Sequence, residues 1–97
     1  MMEKRQERIQ ARVDDNVAEG TYSNLLNVIF SQAEFILDFG RLVPGKREVK
    51  IVSRIITSPM HLKRFVKILE DNIKQYEDKF GSIKDFDKKE DGERIGF

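Results

Sequence analysis

The sequence predicts an α+β domain: a four-stranded, mainly antiparallel β-meander followed by one long C-terminal α-helix packed on one sheet face. Three observations carry this expectation. Segments of strand length, rich in aromatic and β-branched residues, follow one another between turn signals. Pro44-Gly45 separates two of them with strong turn chemistry. Ser58-Pro59 then opens an apolar stripe at helical spacing that runs to Phe80.

The first expected strand spans residues 8–14. Ile9, Ala11 and Val13 alternate with Arg8, Gln10, Arg12 and Asp14, the period of a half-buried strand, and the charge suits a sheet edge. A helical start is the competing reading, because residues 1–12 contain good helix formers. Asp14-Asp15-Asn16 is turn chemistry. The second strand, residues 21–31, is apolar on both sides, with Tyr22, Leu26, Val28 and Phe30 opposed to Leu25 and Ile29. Two apolar faces imply cover on both, and Asn24 and Asn27 then need partners. Ser31-Gln32-Ala33 reads as a short hairpin loop into a third strand, 34–43, and the fourth follows at 47–57.

A hairpin folded about Gly45 sets Phe35, Leu37 and Phe39 near Ile55, Ser53 and Ile51, which makes an apolar face for the helix. Ile36, Asp38, Val52, Arg54 and Ile56 occupy the reverse face, with Asp38 and Arg54 as diagonal neighbours of opposite charge. This reverse face has no partner within the chain, so these five residues are the candidate interface. Ser58 is the expected helix N-cap and Pro59 the first helical residue. Leu62, Phe65, Val66, Leu69, Ile73, Tyr76 and Phe80 form one continuous stripe, and Gly81 supplies the stop. Residues 1–7 are expected to be disordered, 8–83 to form the single domain, and 84–97, mixed in charge and aperiodic, to be a flexible tail.

Composition narrows the chemistry. With 97 residues there is room for one domain with a marginal core, which association would supplement. Cysteine is absent, which removes disulfides and thiolate sites, and a lone histidine cannot build a multi-histidine metal site. No apolar run approaches the roughly 20 residues of a membrane span, and the first residues lack a signal-peptide core, so a cytoplasmic location and no membrane partner are expected. Net charge is +1, yet between Arg41 and Lys67 eight basic residues meet one acid, Glu48. Lys50, Arg54, Lys63, Arg64 and Lys67 from this stretch are a candidate anion-binding surface, weighed against a solvated face balanced by acids elsewhere. No glycine-rich phosphate loop or zinc-finger spacing accompanies them. Ser58 with His61 resembles half of a catalytic triad, but a helix cap explains both residues more simply. No catalytic, cofactor-binding or metal-ligating residue is assigned, and no enzyme activity is expected.

Several features of the chain stand out together: E-G-T-Y-S-N (19–24), E-F-I-L-D-F (34–39), Arg41 with Pro44-Gly45, V-S-R-I-I-T-S-P-M-H-L-K-R (52–64), and the helix with Asn72, Tyr76, Phe80 and Gly81. In these the chain resembles a family of small, uncharacterised prokaryotic proteins of about 100 residues. The match covers roughly residues 14–83, and it implies no established activity. Strands followed by a long helix are also similar in topology to the SecB-type export chaperones. Together the readings lead to a non-enzymatic protein-interaction or adaptor module, chaperone-like in one version, acting as a homo-oligomer with a dimer favoured. A protein or peptide is the expected partner. A nucleic-acid-binding protein that uses the basic 41–67 surface is the alternative.

Overall fold

Two hairpins build the sheet, and each is set by its turn. In the computed structural model, which describes residues 9–85, β1 (Leu25–Phe30), β2 (Phe35–Leu42) and β3 (Val49–Thr57) form one antiparallel sheet in the order β1-β2-β3. The β1–β2 loop is closed by Ser31, whose N–H donates to the Glu34 carbonyl at 3.0 Å. Its Oγ accepts from the N–H groups of Ala33 at 3.2 Å and Glu34 at 3.4 Å. At the β2–β3 connection the Lys46 N–H donates to the Val43 carbonyl at 3.0 Å, with Gly45 at φ +88°. Pro44 before a positive-φ glycine is the residue order of a type II turn.

Three strands, not four, make this sheet. Residues 9–14 have no regular structure, and Arg8 lies outside the described residues. The alternation of Ile9, Ala11 and Val13 therefore does not become a strand. Asp15–Ala18 forms instead a single-turn helix α1, opened by N–H groups of Val17 and Ala18 on the Asp14 carbonyl at 2.9 Å each. A period-two pattern becomes a strand only when it pairs with another, and residues 9–14 pair with neither outer edge of the sheet. The expected disordered segment 1–7 and residues 86–97 of the expected tail also lie outside the described residues.

The register differs from the expected one by two residues and contains a bulge. Phe35 faces Thr57, Leu37 faces Ile55, Asp38 faces Arg54 and Phe39 faces Ser53. Asp38 and Arg54 are thus direct rather than diagonal partners. A two-residue shift preserves side-chain parity, so these faces survive it. Between Phe39 and Gly40 the register slips: Gly40 faces Ile51 and Leu42 faces Val49, which leaves Val52 with no opposing residue. One extra residue inverts parity beyond it. Val49 and Ile51, expected on the side of Phe35 and Phe39, lie instead on the side of Asp38. Gly40 reports this directly, since a methyl group on it would fall 2.9 Å from Val49 Cγ1 and 3.3 Å from Ile51 Cδ1 and Leu25 Cδ2.

The helix α2 (Pro59–Phe80) begins and ends as its sequence implies. Ser58 Oγ accepts from the His61 N–H at 3.1 Å, and Gly81, at φ +99°, donates its N–H to the Glu77 carbonyl at 2.9 Å. Ile83 follows with its N–H on Glu77 Oε2 at 2.9 Å. What the helix does not do is lie on the sheet: none of its residues is buried, and only Leu62 and Glu77 are even half-covered. The connection explains this. β3 ends at Thr57 and α2 starts at Pro59, so Ser58 alone joins them. A residue before proline is held extended, and Ser58 is extended at φ −83° and ψ 159°. Strand-to-helix reversals usually use 2–6 residues. With one, the roughly 33 Å of helix passes away from the sheet after its first turn.

Candidate functional site

Both faces of the sheet carry apolar surface that the rest of the described chain leaves open. One face centres on Asp38, in the middle of the central strand. Asn27 and Arg54 stand directly opposite it on β1 and β3. Asp38 is only 4% exposed. Arg54 holds it in a two-point pair, Nε donating to Oδ1 at 2.7 Å and Nη2 to Oδ2 at 2.8 Å. Those hydrogen bonds hold the Asp38 carboxyl below its ordinary value; desolvation pushes upward, and the guanidinium charge adds to the lowering. Arg54 is raised by the same hydrogen bonds and then by the carboxylate charge. The planar fork suits a carboxylate in this geometry. Around the pair, Ile29, Ile36, Ile51 and Ile56 share the face, and all but the half-buried Ile36 are exposed.

Of the five candidate interface residues, the structure therefore brings four together. Ile36 opposes Ile56, and Asp38 opposes Arg54. Val52 is set apart at the bulge. Val49 and Ile51 join them because of the bulge, and Ile29 joins through the unbroken β1–β2 register, in which it opposes Ile36.

The opposite face presents Leu26, Val28, Phe30, Phe35, Leu37, Phe39 and Ile55. Phe30 and Phe35 pack at 5.3 Å between ring centroids, yet Phe30 remains 70% exposed. Where α2 leaves this face it opens a cleft of about 530 Å³ lined by Phe35, Pro59, Leu62, Lys63, Val66, Lys67 and Glu70. Beyond the cleft, Leu69, Ile73, Tyr76 and Phe80 are exposed along the helix.

Asn24 was marked by the sequence only as a polar residue in need of a partner. It lies just before β1, and its side chain extends the ladder there. The amide Nδ2 donates to the Leu42 carbonyl at 3.2 Å, and Oδ1 accepts from the Leu42 N–H at 2.9 Å. Ser23 Oγ donates to the Gly40 carbonyl at 2.8 Å. These two side chains tie the N-terminal end of β1 to β2 over the bulged region.

The basic candidates do not converge. Arg54 is engaged with Asp38. Lys50 opposes Arg41 near the turn end of the sheet, where Arg41 also lies 5.9 Å from the Tyr22 ring centre. Lys63, Arg64 and Lys67 sit on the first turns of α2, past the other end of β3. At about 3.3 Å per residue, Lys50 and Thr57 alone are roughly 23 Å apart. Ser58 and His61 are close, with Oγ 2.9 Å from Nδ1, but Oγ is occupied by the cap, and the imidazole stacks on Phe65 at 6.3 Å. Among the described residues no group of three or more His, Cys, Asp or Glu is placed to hold a metal ion, and no helix is long and apolar enough to cross a membrane.

Comparison with known proteins places this arrangement. The model of a family described as "Protein of unknown function (DUF3467)" matches residues 1–85. The chain belongs to the DUF3467 family. The match includes the sheet, the bulge and all of α2, so the surfaces described here fall within the DUF3467 region. No curated protein and no solved structure matches the chain. The topological likeness to SecB-type export chaperones accordingly gains no support. The resemblance to a small uncharacterised family holds, and the DUF3467 description carries no activity.

Proposed function

We propose that this DUF3467 protein is a non-enzymatic interaction module that works as a homo-oligomer, a dimer first. One observation carries the proposal: Leu25 is the one apolar side chain that is buried among the described residues, while more than a dozen large apolar side chains on the sheet and α2 stay exposed. Ordering a backbone costs roughly 1–2 kcal/mol per residue, and a core of this size does not offset that for three strands and a long helix. Contiguous apolar patches of this extent mark contact surfaces. The Asp38–Arg54 pair set among isoleucines gives the sheet face a polar centre able to fix orientation. The outer edges of β1 and β3 provide backbone groups for an extended peptide. A cytoplasmic location is part of the same proposal, supported by a composition 36% charged.

Light scattering on a size-exclusion column at micromolar chain concentration tests the oligomer. The expected result is a mass of two chains or more; a clean monomer for the unaltered protein refutes it. Capture from extract followed by mass spectrometry tests the adaptor role. A defined protein partner lost with the sheet-face variant Ile56→Glu supports it, and recovery of nucleic acid alone counts against it. Nucleic-acid binding is the second reading, supported by Arg41 opposite Lys50 with Tyr22 beside them. Division of the remaining cations between a carboxylate partner and the distant helix makes it the weaker one. It requires affinity that drops steeply with salt and that is lost when Lys50, Arg54, Lys63 and Arg64 are reversed in charge.

A further inference from the structure

We infer that α2 is itself a homodimer contact, and that its occupant is α2 of a second copy running antiparallel. This rests on the oligomer reading above and names the surface. Leu62, Val66, Leu69, Ile73, Tyr76 and Phe80 are spaced by 4, 3, 4, 3 and 4 residues, the alternation of a helix–helix seam. Leu62 is half-covered at the cleft beside Phe35, and the other five stay exposed, Leu69 at 61% and Phe80 at 68%. The seam is also self-complementary in reverse. With the two-fold axis at Asp71, Leu62 meets Phe80 of the second copy, Val66 meets Tyr76, and Leu69 meets Ile73. All six seam residues are thereby used.

Charge chooses the direction. Residues 59–69 hold Lys63, Arg64 and Lys67 and no acid. Residues 70–80 hold Glu70, Asp71, Glu77 and Asp78 against Lys74 and Lys79. A parallel pair sets the basic half level with the basic half and aligns the helix dipoles. An antiparallel pair lays the basic half on the acidic half, sets Lys63 near Glu77 of the second copy, and opposes the dipoles. The same register places Phe80 of the second copy beside Leu62, at the cleft lined by Phe35, and so gives that cleft a side chain to receive.

The absence of native cysteine makes the test simple. Val66→Cys and Tyr76→Cys are made as single variants, mixed to exchange subunits, and oxidised. Antiparallel pairing sets position 66 against position 76 of the second copy, while each position lies about 15 Å along the axis from its own equivalent. Disulfides need Cα atoms within about 7 Å. The expected result is a covalent dimer in the mixture and none in either variant alone. Covalent dimer in both separate samples means parallel helices and overturns the inference. No covalent dimer in any sample, with light scattering still reporting two chains, places the second copy elsewhere and overturns it while the oligomer reading stands. A monomeric unaltered chain overturns both. Leu69→Asp is the independent check: its mass is expected to fall to one chain with helical circular dichroism retained, and an undiminished dimer refutes the helix seam.

Discussion

Gly40→Ala tests whether the bulge places Val49 and Ile51 where the register says. The added methyl falls 2.9 Å from Val49 Cγ1, against the 3.5–4.0 Å or so of an ordinary carbon contact. Val49 Cγ1 sits on a branched, stiff side chain, so relief requires a rotamer change or movement of β3. Overpacking of this kind costs about 1–3 kcal/mol. Replacing glycine returns about 0.4–1 kcal/mol by restricting the unfolded chain. The net is a loss of about 1–2 kcal/mol, which for a domain of this size lowers the melting temperature by roughly 5–15 °C. Thermal and urea unfolding at one fixed chain concentration measure it, since association shifts apparent stability. Val49→Ala removes the obstructing atom at a cost on the order of 1 kcal/mol. The double variant is then expected to be more stable than the two single losses summed, by about 1 kcal/mol. Strict additivity, or a Gly40→Ala protein as stable as the parent, would show that Val49 does not lie over Gly40 and that the bulge is misplaced.

Two further outcomes are expected. Asp38 has its carboxyl held below the ordinary value of 3.8. Its contribution is therefore complete above that value and lost as pH falls through the lower folded-state value, while Arg54 stays charged throughout. The urea midpoint of the unaltered protein should exceed that of Asp38→Asn at pH 7, with the gap closing below about pH 4. A gap constant down to pH 2 refutes a role for the carboxylate charge. Ser58→Ala removes the acceptor for the His61 N–H and should cost about 1 kcal/mol, with Ser58→Asp retaining most of it; equal losses in both variants refute the cap.

The elements that the sequence made legible are those settled within a few residues. Pro44-Gly45, Ser31 and Ser58-Pro59 each satisfy their own local hydrogen bonds, and the turn and cap appear at those positions. The stripe from Leu62 to Phe80 makes α2 certain, because 3.6-residue spacing is internal to the helix. Residues 8–14 carried an equally clear alternation, but a strand is completed by another strand, and the described residues 9–14 pair with none. The Asp38–Arg54 pair was visible as opposite charge on one face. Its direct two-point geometry was not, because register depends on where the turn closes. Val49 and Ile51 were missed from that face because Val52 carries no local mark of a bulge; a glycine in the facing strand, Gly40 opposite Ile51, was the available hint. Ile29 was missed because its membership depends on the β1–β2 register.

By itself the sequence determined the α+β class, the second, third and fourth expected strands, the helix with its cap and stop, and a chain with more apolar surface than it can bury. These follow from backbone propensity, side-chain period and composition, which act at short range. The tertiary structure decided the three-strand count, the parity inversion at Val52 and the departure of α2 from the sheet. Each of these depends on how separate segments meet in space. The single extended residue Ser58 shows the division most plainly: its identity announced the helix, but only its conformation shows that the helix leaves its own sheet and presents its apolar seam outward.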